Sequence, residues 1–213
     1  MLNIKIFEVN PLQENCYVVS DETKECVIID CGAFSPEEQQ EIINYITFEG
    51  LKPVHLLATH GHLDHNFGID AMNKAFGLKL ELHRGDERAV RELKQQAESL
   101  FGMIINFVPQ IEGFLANNQE VKFGNHTLKC LATPGHTMGG LCFYCEEEST
   151  LFSGDTLFRQ SIGRTDLPGG SMFMIINSLR FLCQLPDTTR VLPGHGPETT
   201  IGFELAHNPY LDR

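Results

Sequence analysis

The sequence predicts an α/β fold in which two β-sheets lie face to face, with helices on their outer sides. Three observations predict it. Strand-like runs outnumber helical ones, hairpin spacings mix with helical crossovers, and the second half repeats the coarse order of the first. Residues of the AVILMFWYC set make up 42% of the 213, enough for a sizeable core at this length.

The elements follow in order. Runs 3–9, 16–20 and 26–30 are short, rich in Val, Ile and Tyr, and bounded by turn residues, so they read as strands. Ser35-Pro36-Glu37-Glu38 opens a helix to about residue 48, with Ser35 as cap, Pro36 in the first helical position and Glu38 in the third. Gly50 ends it. Residues 54–58 form a short apolar strand. A helix is expected over 65–76, closed by Gly77, then a strand over 78–82 and a charged amphipathic helix over 86–100. In the second half, 120–123, 126–132, 141–145 and 150–152 read as strands, 172–183 as a helix and 190–192 as a strand. No low-complexity stretch, charge block or linker interrupts them, so one domain over 1–213 is expected.

Composition narrows the function. Lys plus Arg is 16 against 28 for Asp plus Glu, a formal charge of −12. Phosphate backbones require clustered cations, so no nucleic-acid partner is expected. The start, MLNIKIFEVN, has no basic segment followed by a long apolar run, and nowhere do 18 apolar residues run together. No signal peptide or membrane span is expected, and a cytoplasmic location is. Seven cysteines spread through strand-like segments read as reduced thiols. Cys142 and Cys145 form a CxxC, but in a strand that spacing sends the two thiols to opposite faces, which favours core packing.

The chemistry concentrates in Thr59-His60-Gly61-His62-Leu63-Asp64-His65, after a strand and before a helix. With nine histidines and nine aspartates in the chain, these four fixed positions would coincide by accident roughly 6 times in 10,000. Imidazole nitrogen and carboxylate oxygen are ligands for zinc and other borderline metals. Four such ligands crowd a single tetrahedral ion that must keep an open position, and two adjacent ions account for them better. Further donors sit in similar settings, each after a strand end and a glycine: His136 in Pro134-Gly135-His136, Asp155 in Ser153-Gly154-Asp155, and His195 in Pro193-Gly194-His195. His55, His83, His126 and His207 fall outside this pattern and read as structural or surface histidines.

These residues, with Asp30 after an early strand, resemble the metallo-β-lactamase superfamily over essentially the whole chain. Within it, the chain looks most like the short, single-domain branch of the glyoxalase II-like hydrolases, the hydroxyacylglutathione hydrolases. Gly154-Asp155-Thr156-Leu157-Phe158, the run from Ser161 to Gly170, and the tail Thr200-Ile201-Gly202-Phe203-Glu204 with Asn208-Pro209-Tyr210 carry that likeness. The resemblance implies a four-layer αββα sandwich (the metallo-β-lactamase fold) with the site at one edge of the sheets. It implies two divalent metal ions, zinc with iron or manganese as alternatives: His60, His62 and His136 on the first, Asp64, His65 and His195 on the second, and Asp155 on both. Asp30 would order the ligand loop without being a ligand. The implied reaction is hydrolysis of a small-molecule thioester, S-D-lactoylglutathione or a similar hydroxyacyl thioester, by a metal-bound hydroxide, with Asp64 also orienting that hydroxide or shuttling its proton.

Full-length glyoxalase II has a carboxy-terminal helical glutathione-binding domain, and no such domain is expected here. In the loop after the bridging Asp, Arg164 stands for the family's basic glutathione contact, and Asp166 falls where a tyrosine is expected. Tyr17 and Phe158 are further candidates for the pocket wall, and Met138 reads equally as packing or as pocket wall. The competing readings are a mononuclear iron persulfide dioxygenase, which also keeps the histidine motif, and a non-catalytic metal-binding protein, which should have lost ligands. β-Lactam hydrolysis fits less well without an export signal, and nuclease activity conflicts with the charge.

Overall fold

The computed structural model describes residues 1–211. Strands β1 (Asn3–Val9), β2 (Glu14–Ser20) and β3 (Glu25–Ile29) form an antiparallel meander, with Phe7 opposite Cys16 and Tyr17 opposite Ile29. β2 is buried along its whole length because both of its faces are covered. Helix α1 (Pro36–Phe48) carries the chain to β4 (Lys52–Leu57), which lies parallel to β3. The predicted cap forms: Ser35 Oγ accepts from the Glu38 N–H at 3.1 Å, and the Glu38 carboxylate accepts from the Ser35 N–H at 3.0 Å. Helix α2 (Ile69–Phe76), β5 (Leu80–His83), α3 (Glu87–Arg91), α4 (Leu93–Phe101) and β6 (Ile111–Leu115) follow. The first sheet runs β1-β2-β3-β4-β5-β6.

The second sheet begins with antiparallel neighbours β7 (Glu120–Phe123), β8 (His126–Ala132), β9 (Leu141–Cys145) and β10 (Thr150–Gly154). A small hairpin, β11 (Leu157–Phe158) with β12 (Ser161–Ile162), precedes helix α5 (Met172–Leu182). The crossover then places β13 (Arg190–Pro193) parallel to β10, and β14 (Thr199–Thr200) leads into α6 (Ile201–His207).

Alternation along the strands makes three apolar layers. Val27, Ile29 and Leu57 of the first sheet meet Phe143, Phe152 and Leu192 of the second. Ile28 and Leu56 point the other way, against Ile42, Ile46 and Met72 of α1 and α2. Leu151 and Val191 pack outward against Ile175, Leu179 and Ile201 of α5 and α6. The result is an αββα sandwich. Cys142 and Cys145 divide as their spacing requires, the first in the α5 layer and the second between the sheets. No described helix is long and apolar enough to cross a membrane.

Several elements depart from expectation, for local reasons. The helix expected from residue 65 starts at Ile69. Leu63–His65 is a 3-10 turn, the Asn66 amide donates to the His60 and His62 carbonyls, and the Gly68 N–H bonds the Cys31 carbonyl, so this backbone is tied to the motif loop. The helix expected over 86–100 breaks at Glu92. There the Gln96 side chain donates to the Ala89 carbonyl at 2.8 Å and occupies an acceptor that a continuous helix would use. β6 carries no strand signal in the sequence because Glu112 and Gly113 interrupt its apolar pattern. β11, β12 and β14 are too short to show a period, and α6 spans only two turns. The buried Glu204 of α6 accepts from Gln160 N–H, Thr199 Oγ and Asn208 Nδ2, which binds the β11–β12 hairpin to the tail.

Candidate metal centre

The candidate donors gather at the carboxyl ends of strands, on one edge of both sheets. Asp30 follows β3, the 58–66 loop follows β4, and His136, Asp155 and His195 follow β8, β10 and β13. Backbone bonds join the two edges. Leu141 N–H donates to the Thr59 carbonyl at 2.8 Å and Asn15 N–H to Gly194 at 2.8 Å, while Gly194 N–H donates to Gly154 at 2.9 Å within the second sheet. The approach is close enough to require glycine. A Cβ on Gly194 would lie 2.3 Å from Asp155 Oδ1, and one on Gly154, at φ +48°, would lie 2.3 Å from Thr59 Oγ.

The donors fall into two groups. His60, His62 and His136 each bring a nitrogen within 4.8 Å of the others, and their ring centroids are 4.6–4.8 Å apart. Asp64, His65 and His195 do the same with their donor atoms. Asp155 lies between the groups. Its Oδ2 is 3.5 Å from His136 Nε2 and 3.7 Å from His195 Nε2, and its Oδ1 is 3.4 Å from His65 Nε2.

Hydrogen bonding fixes which ring nitrogens face inward. A carboxylate or carbonyl oxygen only accepts, so each partner demands a proton on Nδ1. His65 Nδ1 donates to Asp30 Oδ2 at 3.1 Å, His136 Nδ1 to the Arg164 carbonyl at 2.8 Å, and His195 Nδ1 to the Leu12 carbonyl at 3.0 Å. Thr59 Oγ donates to Asp30 Oδ2 at 2.6 Å and therefore accepts from His60 Nδ1 at 3.0 Å. All four rings thus turn an Nε2 lone pair toward the centre. His60 Nε2, His65 Nε2, His136 Nε2 and Asp155 Oδ1 are buried there without a hydrogen-bond partner. Acceptors facing acceptors in a buried space are stable only around a cation, so the clusters fit a metal site.

The field agrees. Burial, with the neighbouring imidazoles, pushes His60 well below the ordinary histidine range and His62 down to about 4, which keeps both neutral. Burial works against charge on Asp155, yet His65, His136 and His195 hold its carboxyl far below the usual value. Burial likewise opposes an imidazolium at His65, but Asp155, Asp64 and Asp30 raise it well above the histidine range, a sign of strongly negative potential there.

Asp30 sits as a buttress. Both of its oxygens are engaged, Oδ1 by the Thr59 N–H at 2.7 Å and Oδ2 by Thr59 Oγ and His65. Its own backbone takes φ +52° to turn out of β3. The Arg164 guanidinium grips Asp166 through two bonds of 2.8 and 2.7 Å, and it is the Arg164 carbonyl that reaches the centre. Tyr17 is buried, its hydroxyl on the Pro193 carbonyl, and the Phe158 ring lies 6.2 Å from that of His195.

Two further acidic residues support the site. Buried Asp86 accepts from Gly61 N–H, Thr137 Oγ and Gly139 N–H at 2.9, 2.7 and 2.7 Å, and so clamps the loops that carry His60, His62 and His136. Buried Glu14 accepts from the Gly32 N–H and lies 3.7 Å behind His65 Nδ1. A helix-start aspartate and a strand-start glutamate carry no pattern of their own. A cavity of about 590 Å³ opens beside His62, between the α3–α4 segment and the loop at 167–169.

Comparison with known proteins agrees with this geometry. A sequence profile described as the metallo-beta-lactamase superfamily matches residues 9–195. The hydroxyacylglutathione hydrolase GloC of Haemophilus influenzae is 36% identical over 219 residues, covering 99% of each chain. The crystal structure of the BLEG-1 B3 metallo-beta-lactamase superposes with a TM-score of 0.91 at 36% identity, covering 99% of this chain and 100% of that one. TTHA1623, solved in a di-iron-bound form, gives a TM-score of 0.87 at 36% identity, covering 97% and 100%.

Proposed function

The chain belongs to the metallo-beta-lactamase superfamily, and from that premise we propose that it is a metal-dependent hydrolase that cleaves S-D-lactoylglutathione or a similar hydroxyacyl thioester. The observation that carries the reading is Asp155, a carboxylate in reach of both histidine groups, among lone pairs that no protein donor satisfies. Its likeness to GloC over its full length supports the thioester as the scissile bond.

In this assignment His60, His62 and His136 would hold one divalent ion and Asp64, His65 and His195 the other, with Asp155 in reach of both groups. Zinc suits these donors, and the di-iron form of TTHA1623 makes iron an equal candidate. Metal bound here supplies Lewis acidity to a carbonyl oxygen and lowers the pKa of water from 15.7 toward roughly 7. The chain's own residues supply the rest. Asp64 Oδ2 lies 3.3 Å from His195 Nε2 with the donors, and the rest of that carboxylate orients the attacking water and shuttles its proton. Thr59, Asp30 and the carbonyls of Arg164 and Leu12 hold the four rings in the required tautomer. Water adds to the thioester carbonyl, the C–S bond breaks, and an acid and a thiol leave. No Ser or Cys nucleophile is needed.

The test is thiol release from S-D-lactoylglutathione by the metal-loaded protein, with a chelated control. Chelator-sensitive turnover is expected, and none from protein carrying two ions per chain would overturn the proposal. The BLEG-1 likeness favours a second reading, β-lactam hydrolysis, so a chromogenic cephalosporin belongs in the same assay. Oxygen uptake with a persulfide at one iron per chain would point instead to dioxygenation.

A further inference from the structure

His62 is the exception among the histidines of the two donor groups. The rings of His60, His65, His136 and His195 each bond an oxygen behind them through Nδ1. Among the described residues none hydrogen-bonds a nitrogen of the His62 ring, which is half-buried and meets the rings of His60 and His136 edge to face, with centroids 4.8 and 4.6 Å away. A ring without such a partner has nothing to fix its tautomer or its angle. What holds it must act through its backbone.

One side chain does so. Leu93 and Ala97 bury one face of α4, and Gln96, three residues beyond Leu93, is thereby turned to the motif loop. Its amide brackets His62. Gln96 Oε1 accepts from the Leu63 N–H at 3.1 Å and Nε2 donates to the Gly61 carbonyl at 3.2 Å, so the peptide groups on both sides of His62 are tied to one side chain. The same Nε2 donates to the Ala89 carbonyl at 2.8 Å, which anchors the bracket on α3. There is no slack beneath it, since a Cβ on Gly61 would lie 2.9 Å from that of Ala89. Only an amide serves these three groups. A carboxylate could accept from Leu63 but would face two carbonyl oxygens, an ammonium group could not accept, and a hydrocarbon would leave all three unpaired.

We propose that Gln96 is the positioning residue of His62: it sets where that ring stands against His60 and His136, and so tunes the affinity of the first donor group for its ion without being a ligand. The proposal rests on the metal assignment above and not on the identity of the substrate.

The experiment titrates metal-free protein with cobalt(II) against a competing chelator and follows the visible ligand-field bands in the wild type, Gln96→Met, Gln96→Glu, Gln95→Met and His62→Ala. The binding step that weakens most in His62→Ala marks the ion near His62. In Gln96→Met that step should weaken about tenfold and its bands should shift, while the other step holds within about twofold. Gln96→Glu keeps the acceptor for Leu63 but loses both donated bonds, and should not restore it. Gln95→Met, one position away on the exposed side of α4, should leave both steps unchanged. Equal weakening of both steps in Gln96→Met, full affinity at the marked step, or recovery in Gln96→Glu overturns the proposal. Urea unfolding of the metal-free proteins shows which variants fold, and should Gln96→Met not fold, the same selective loss is required of Gln96→Glu. A wild type that binds no cobalt overturns the metal assignment itself. One that binds it, with no selective loss in the Gln96 variants, overturns only the positioning role.

Discussion

The two donor groups differ in what stands behind them. His60 and His136 lean on neutral oxygens, the Thr59 hydroxyl and the Arg164 carbonyl, and half-buried His62 opens on the cavity. His65 leans on the Asp30 carboxylate, with Glu14 3.7 Å away, and is wholly buried. A neutral partner fixes a tautomer. A carboxylate partner also makes the ring a stronger base toward a cation. The contrast is one of backing and not of depth: two of the three donors are buried in the first group, and only His65 in the second.

Four changes break or sharpen that contrast. Asp155→Ala should have the largest effect, because it removes the carboxylate shared by both groups. Metal analysis should find both ions lost and thioester turnover at the chelated background. Two retained ions would make the groups independent. Asp30→Asn keeps the shape but weakens the base behind His65, and should lower metal affinity by about 10- to 100-fold for the ion near His65, with a smaller loss near His60, which leans on Asp30 only through Thr59. Chelator competition resolves the two, and equal losses would erase the distinction.

Asp86→Ala should act on the opposite side. It leaves Gly61 N–H, Gly139 N–H and Thr137 Oγ without their acceptor and should cost about 2–4 kcal/mol in denaturant unfolding. The ion near His60, His62 and His136 should loosen first.

The smallest effect lies away from the centre. His55 is raised above the usual histidine range chiefly by its 2.6 Å bond to Glu81, against some burial, with the Lys122 carbonyl and Glu25 adding to it. A raised folded value means the stabilisation is full below the ordinary histidine pKa and is lost as pH rises through the raised one. Melting temperatures should therefore sag slightly above neutrality, by less than about 1 kcal/mol in stability. Glu81→Gln should flatten that sag, and an unchanged slope would show that the pair does not contribute.

The centre was more legible in the sequence than its supports. The motif from His60 to His65 and the three Gly-X donors stand at strand ends, where composition and spacing expose them. The ordered caps of α1 and the short apolar runs of β3 and β9 were readable for the same reason: each is a local pattern with a local cause. Asp86, Glu14 and the Leu12 carbonyl act only through contacts across the fold, so nothing beside them in the chain marks them. Arg164 shows the remaining limit. Its charge is written in the sequence, but only folding reveals that its guanidinium turns to Asp166 while its carbonyl orders His136.

The Leu12 carbonyl and His195 are 183 positions apart in the chain, yet they meet at 3.0 Å, and Glu14 and His195 form a lone β-bridge there. This contact closes a loop of 183 residues, and loops of that span form late. A nascent chain therefore has His60, His62 and His136 to offer before it has His195, and a ribosome still translating β13 cannot present a finished centre. The second donor group is in this sense a report of a finished sandwich, because only a chain in which β13 has docked beside β2 presents both groups.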